Sequence, residues 1–508
     1  MRARSIATGL SGLVAGVALL PVGVLVVLGW GAEGVAGPGT GAILANTLAL
    51  TAATVLGSLL IGVPLALATT YGQLPGGRLW VGVLAAPLAM PSYLGAFAFF
   101  AAFGPGGAIE RALGLPTPSV HGLVGAALVM TLYTFPFVFL TTRAALRRLD
   151  AHVLDAARTL GMPVAVGLWR IVLPRIRNGI AAGGLLVALY TLSDFGTPAI
   201  LGVDTFTRRI YVEYNAFGLD RAALLSLQLL ILVGLVLFLE SRVGATRERP
   251  GRHPQWRLDG PTRVGVVALC VGIAVIALGL PLGVFGLWLW REGPAGFDPV
   301  LVWHSMYPAF LAALGALLVA IPVAQAAQGD RLGRLFERIT YIGFGIPGIV
   351  LGTALVYVGL QLGFLYQTLA LLVIGYVLRF VPLAVGAVRS SLDRFDGQLI
   401  GAARSLGASP AEAFRRVTLP LILPGLTAGA ALVFLEVMRE LPTPLLLAPT
   451  GFENLATYLW RVYEAGYFGR GAIPGLALVA VSTLAVLILV SGSERRRHGD
   501  GSSTARDS

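Results

Sequence analysis

Apolar runs of about twenty residues or more recur along this chain, at 6–30, 43–70, 79–103, 121–142, 179–203 and 220–240, then at 263–289, 303–328, 339–362, 367–388, 425–448 and 473–492. Runs this long and this poor in charge suit the hydrocarbon core of a bilayer, which a helix crosses in about 20 residues. Lipid offers the backbone no hydrogen-bond partner, so each run must close its own bonds as a helix. The pattern therefore predicts an all-α polytopic membrane protein with about 12 transmembrane helices. Composition agrees, since 56% of residues are hydrophobic and only 12% charged, far more apolar than a soluble domain requires. The opening Met-Arg-Ala-Arg precedes a run of about 25 residues, longer than the apolar stretch of a signal peptide, so an uncleaved first span is expected.

The net charge is +12, and no lysine occurs, so every Lys+Arg position is arginine. With the N-terminus in the cytoplasm, about 28 arginines fall on cytoplasmic segments and about 7 on external ones, which fixes the orientation with both termini inside. That distribution accounts for the basic excess through the membrane, and nucleic acid is not expected as a partner. Without lysine there is no phosphate-binding loop of the Walker type, so ATP, if it drives this protein, is bound by another subunit. Cys270 stands alone in an apolar run, which excludes an intrachain disulfide. The five histidines lack ligand spacing, so no zinc site is expected. No converging catalytic groups are visible either, and an enzyme is not expected.

The chain repeats itself. A shift of 246 residues carries Pro136 onto Pro382, Arg143 onto Arg389, Asp150 onto Asp396, Gly161 onto Gly407, Leu173-Pro174 onto Leu419-Pro420 and Thr197-Pro198 onto Thr443-Pro444. Upstream, Asn46–Pro64 match His304–Pro322 at a shift of 258. Six spans separate equivalents, so the halves share one orientation and form a parallel repeat. We expect a first half at 1–240, a charged linker at 241–262, a second half at 263–492 and a disordered cytoplasmic tail at 493–508.

Two architectures fit two parallel six-span halves. A major-facilitator-type carrier is suggested by "DRLGR", Asp330–Arg334, though Ala326 stands where that motif has Gly and the first half lacks the motif. The other is argued by the connections at 143–178 and 389–424, too long to be empty loops. "DAARTLGMPVAVGLWRIVLP" at 155–174 and "GAARSLGASPAEAFRRVTLP" at 401–420 hold the same spacing. An Ala-rich helix should end on Gly161 or Gly407 as a left-handed cap, and Ser409-Pro410-Ala411-Glu412 reads as a capping box that starts the next helix. Val164, Leu168, Ile171 and Val172 lie on one helical face beside Arg170.

These stretches resemble the E-A-A, Gly, Ile-x-Leu-Pro signature of permeases of binding-protein-dependent ABC importers. The matching residues are Asp155, Ala156, Ala157, Gly161, Leu173 and Pro174, then Gly401, Ala402, Ala403, Gly407, Leu419 and Pro420. Asp and Gly replace the usual Glu, so any role of that carboxylate is absent from the second half. The resemblance implies the type I (MetI-like) permease fold in a bacterial cytoplasmic (inner) membrane. It implies as partners a homodimeric ATP-binding subunit gripping both segments from the cytoplasm, with ATP-Mg bound there and no cofactor on this chain. It also implies an extracytoplasmic substrate-binding protein.

Charges inside spans are expensive and seldom kept without use. Asp194 and Glu440 are repeat equivalents ahead of Thr-Pro, expected near the outer part of the membrane, where they either line the substrate path or pair with a neighbour such as Arg439. Arg379 and Glu436, whose first-half equivalents are Tyr133 and Tyr190, lie at similar depth. They are expected to meet as a buried structural pair in place of a Tyr133–Tyr190 contact. The stretches at 193–211 and 436–460 are similar to those of ferric iron permeases, which implies iron as substrate; thiamine, polyamine, sulfate and phosphonate permeases share the plan. Tyr211, Glu213 and Tyr214 offer hard oxygen ligands to ferric iron, or else shape the surface on which the binding protein docks.

Overall fold

The structure, a computed structural model, describes residues 2–30, 39–104, 107–114, 119–149, 159, 161–216, 218–244, 260–294, 296–329, 331–393 and 398–485. Among these residues eleven helices are long and apolar enough to cross a membrane, or up to twelve if one bent pair forms a single span. All regular elements among the described residues are helical, as the hydropathy pattern requires.

Four expected spans are interrupted. In the run at 79–103, helix Gly77–Ala85 and a tight turn at 86–89 end at Met90-Pro91, and a new helix, Ser92–Phe103, begins. In the run at 339–362, helices Arg331–Gly345 and Gly348–Leu362 meet at 103° across Ile346-Pro347. Proline has no N–H to donate and drives the preceding residue out of the helical region. Pro91 (φ −59°, ψ 137°) and Pro347 (φ −56°, ψ 144°) accordingly share one extended geometry. The runs at 179–203 and 425–448 are broken too. Helices Leu173–Ser193 and Leu419–Arg439 stop at Asp194 (φ −75°, ψ 126°) and Glu440 (φ −75°, ψ 124°), and short helices Gly196–Ile200 and Pro442–Leu447 follow.

The repeat is copied down to single hydrogen bonds. The Phe206 N–H donates to the Thr47 hydroxyl (3.2 Å), and the Leu455 N–H donates to the Ser305 hydroxyl (2.9 Å). Both hydroxyls donate in turn to the carbonyl one turn back, those of Ile43 and Leu301. Beside them Asn46 donates to the Asp204 carbonyl, and His304 Nδ1 lies 2.9 Å from the Glu453 carbonyl. These bonds fix the starts of helices Phe206–Asn215 and Leu455–Glu464, which Thr205 and Asn454 cap.

Burial sorts the helices. Ten of the twelve residues of helix Ser92–Phe103 are buried, and the most apolar 18 residues of the stretches at 122–146 and 369–392 are 67% and 61% buried, against 22% for those of 7–30 and 260–292. The first helix of each half therefore lies outside, and it packs across the repeat boundary. Helix Arg2–Trp30 runs along Val300–Gly329, Arg331–Gly345 and Gly348–Leu362, while helix Leu280–Glu292 packs on Ser92–Phe103. Leu13, Val27, Leu60, Val264 and Leu318 project outward, an apolar girdle that lipid solvates without cost.

Close helix contacts use small residues. A Cβ on Gly183 would meet the Val138 Cα at 2.7 Å, and one on the equivalent Gly429 would meet the Ala384 Cα at 3.1 Å. With Gly179 and Gly425, each four residues earlier, they give both halves a Gly-x-x-x-Gly contact, a recurrent membrane packing device.

Three wide π turns occur among the described residues, at 168–172, 275–279 and 414–418, and each is followed at once by Leu-Pro: Leu173-Pro174, Leu280-Pro281 and Leu419-Pro420. A proline inside a helix removes one bond and crowds the carbonyl four residues back. Widening the preceding turn relieves that crowding while the helix continues.

Candidate functional site

Three of the four breaks face one cavity of about 260 Å³. Its wall includes Pro91, Ser92 and Tyr93 from the first, Asp194, Phe195 and Gly196 from the second, and Glu440, Leu441 and Pro442 from the last, with Tyr190, Arg379, Glu436 and Arg439 between them. The fourth break backs onto it: a Cβ on Gly348 would collide with the Arg379 guanidinium and the Glu440 carboxylate. Non-helical backbone is tolerated at membrane depth where protein buries it or where it lines a cavity.

The two equivalent carboxylates do the same local work with different neighbours. The Glu440 Oε1 accepts from the Thr443 N–H (3.2 Å) and hydroxyl (2.7 Å), satisfying the start of helix Pro442–Leu447. Its Oε2 lies 3.5 Å from Arg379 Nη2. The Asp194 Oδ2 accepts from the Ser92 hydroxyl at 3.0 Å, and Ser92 accepts in turn from the Tyr190 hydroxyl at 3.3 Å. The shorter acid thus meets a serine, whereas the longer one meets a glycine and an arginine.

The expected Arg379–Glu436 pair and Tyr133–Tyr190 contact are not the interactions formed. Arg379 pairs with Glu440, and Glu436 pairs with Arg439 at 3.4 Å on its own helix. The helix ends at Glu440, which turns that carboxylate toward Arg379, while Arg439 lies three residues from Glu436 and is the nearer cation. Arg379 and Glu436 still face the same cavity. Tyr133 donates instead to the Ala277 carbonyl (2.9 Å) in the π turn of the second half, and Tyr190 packs on Phe137 with ring centroids 5.8 Å apart. Ser92, Tyr93 and Gly348 were not anticipated. Their signal is the alignment of Pro91-Ser92 with Pro347-Gly348 at a shift of 256.

Of the repeated motif, Asp155, Ala156 and Ala157 lie outside the described residues. Gly161 (φ 77°) and Gly407 (φ 90°) both hold the left-handed conformation that glycine adopts without strain, and a Cβ on either would meet no atom within 4 Å. Helix Gln398–Ser405 carries Gly401 and Ala402 exposed and Ala403 half-buried, and Leu406 beyond it is 89% exposed. The Ser409 hydroxyl accepts from the Glu412 N–H at the next helix start. Leu173-Pro174 and Leu419-Pro420 open the long helices that end at Asp194 and Glu440.

Helices Phe206–Asn215 and Leu455–Glu464, neither of spanning length, meet at the opposite ends of those helices. The Trp460 indole donates to the Tyr211 hydroxyl at 3.3 Å, and Phe195 packs against both rings. Burial pushes the Tyr211 and Tyr214 phenols above their ordinary range, which disfavours the phenolate form a ferric ion would prefer. Glu213 is engaged by Arg209 at 2.8 Å and Arg221 at 3.5 Å. Among the described residues no group of three His, Cys, Asp or Glu side chains is placed to hold a metal ion.

The family described as "Binding-protein-dependent transport system inner membrane component" matches residues 58–244 and 316–497, most of the chain and both repeats. The chain belongs to this family: it is a transmembrane permease subunit of an ABC importer, a transport component and not an enzyme. The "Fe(3+)-transport system permease protein FbpB 2" of Haemophilus influenzae is 29% identical over 88% of this chain and 89% of its own length. A "Probable molybdenum ABC transporter permease protein" of Haloferax volcanii is 31% identical over 46% of this chain and 89% of its own. A structure of the MetNI methionine ABC transporter in inward-facing conformations is similar at 22% identity and a TM-score of 0.31, covering 42% of this chain and 97% of that one.

Proposed function

We propose that this permease carries ferric iron across a bacterial cytoplasmic membrane, with both termini in the cytoplasm. A binding protein docks where helices Phe206–Asn215 and Leu455–Glu464 meet, and a homodimeric ATPase grips the segments around Gly161 and Gly407. ATP-Mg is bound by that ATPase, and this chain supplies the route. The observation that carries the reading is the duplicated motif with its exposed helix Gln398–Ser405 and bare Gly407 turn. Small exposed residues ending on an open glycine suit insertion into a cleft on a partner. Rigid helices then join each motif to Asp194 or Glu440, so a movement imposed at one end is delivered to the cavity at the other.

Iron is favoured by the Haemophilus influenzae relative, which is similar over nearly twice as much of this chain as the molybdenum-named one. Asp194 and Glu440 belong to the path, since both line the cavity while holding its helix starts in place. The test is uptake of radiolabelled ferric iron by proteoliposomes containing permease, ATPase and binding protein, with thiamine and polyamines as competitors. ATP-dependent iron uptake unaffected by the organic cations is expected. Uptake of an organic cation in place of iron would remove the substrate assignment and leave the permease class intact.

A further inference from the structure

Each motif hangs between two helices. Helices Gly122–Leu146 and Leu369–Leu392 enter the motif segments, and helices Leu173–Ser193 and Leu419–Arg439 leave them. Both arms reach the cavity, the entering ones through Phe137 and Arg379 and the leaving ones through Tyr190 and Glu436. A push on a motif alters the cavity only if one arm turns against the other, so one arm has to be held. The last turn of each entering helix carries one of the repeat-equivalent arginines, Arg143 or Arg389. Arg143 Nη1 donates to the Thr69 carbonyl at 2.8 Å and to its hydroxyl at 3.0 Å, which satisfies a carbonyl left open at the end of helix Thr40–Tyr71. At the equivalent position, a shift of 258, the second half has Ala327 and no hydroxyl. There Arg389 Nη1 lies 4.0 Å from the Glu337 carboxylate of helix Arg331–Gly345 instead, and the first-half equivalent of Glu337, at a shift of 256, is Val81. The same arginine is thus tied to a neighbouring helix in both halves, by unrelated partners.

The leaving arms are held less firmly. The most apolar 18 residues of the stretches at 168–193 and 411–439 are 28% and 39% buried, and each arm begins in a π turn. They touch the entering arms through glycine: a Cβ on Gly179 would meet the Ala145 Cβ at 2.5 Å, and one on Gly425 would meet the Ala387 carbonyl at 2.7 Å. Asn178 donates to the Gly244 carbonyl at 3.1 Å, which belongs to the connection beyond helix Leu219–Arg242 and not to a helix. We infer that Arg143 and Arg389 are positioning residues for coupling: each pins the entering arm to the bundle, so that movement imposed on the motif turns the leaving arm, which ends at Asp194 or Glu440. The inference deepens the proposed function and rests on an ATPase acting at the two motifs.

The experiment uses the assembled importer, with permease, ATPase and binding protein in nanodiscs, and needs no knowledge of the cargo. Cys270 is replaced by serine, and Ser193→Cys places a thiol on the cavity wall, whose rate of reaction with N-ethylmaleimide is followed with and without ATP-Mg. In the importer with both arginines intact, ATP-Mg should change that rate about tenfold by shifting the population of accessible cavities. Arg143→Met removes every donor to Thr69, and Glu337→Gln removes the charge facing Arg389. Each should reduce the change to about twofold or less, while ATP hydrolysis and co-elution of the ATPase persist. Arg143→Lys, which still offers the Thr69 carbonyl a charged donor, should restore the change. A full-sized change in Arg143→Met and Glu337→Gln would overturn the inference. So would a loss of the change that is matched by loss of hydrolysis and co-elution and is not restored by Arg143→Lys, because the arginine would then only hold the fold. If Arg143→Met does not assemble, Glu337→Gln decides by the same readings. An importer with both arginines intact that is indifferent to ATP would remove the coupling reading itself, and this inference with it.

Discussion

At Gly348 the lack of a side chain decides what the charges of the cavity do. The Arg379 and Glu440 groups lie against its Cα, so Gly348→Ala must push them apart or shift helix Gly348–Leu362. Separating a buried pair and overpacking a contact each destabilise, so a loss of about 2–4 kcal/mol is expected in denaturant unfolding of the purified permease. The first-half counterpart is milder: Ser92→Ala removes one charge-assisted bond to Asp194 and should cost about 1.5–3 kcal/mol in the same measurement. If Ser92→Ala proved the more damaging, the pairing of Arg379 with Glu440 would not be what holds this region. The sequence singled out Asp194 with Glu440, and separately Arg379 with Glu436, because ions are rare in spans. It did not show their partners, since depth along a straight helix says nothing about where that helix stops.

At the scale of elements, the Leu-Pro of the repeated motif and the π turn before it are one device. Each extra residue in a π turn rotates what precedes it relative to the helix that follows, so the proline sets how the motif segment is aimed. Replacing both Pro174 and Pro420 by alanine lets an ordinary helix form and should leave thermal stability unchanged or higher. Uptake should fall at least tenfold, since the levers would be misdirected. Full uptake with an ordinary helix seen at 168–172 would disconnect the π turn from transport. The proline and its spacing were legible in the sequence, whereas the π turn was not, because hydropathy windows report that a helix exists and not its winding. The breaks at Pro91, Pro347, Asp194 and Glu440 were hidden in the same way. Both sides of each break are apolar, so a window averages across it.

At the scale of the molecule, the parallel repeat was readable because Pro, Gly and Asp recur at one shift, and those residue types fix backbone rather than packing. The crossing of each half's first helix onto the other half was not readable, because a repeat states which residues are equivalent and not which are neighbours. That exchange should make the halves interdependent. Residues 1–240 and 263–492 expressed as separate chains should purify only when produced together, and a half stable alone would show that the crossed helices contribute little. The central claim is that two equivalent motifs pass the work of a separate ATPase to the cavity between the halves. Its most direct measurement is ATP-driven uptake by the reconstituted importer, alongside co-elution of the ATPase, for the chain with Gly161 and Gly407 both replaced by tryptophan. The account predicts a folded permease that no longer retains the ATPase and no longer takes up substrate; uptake at the original rate by that variant, or by the unaltered chain with no ATPase present, would contradict it.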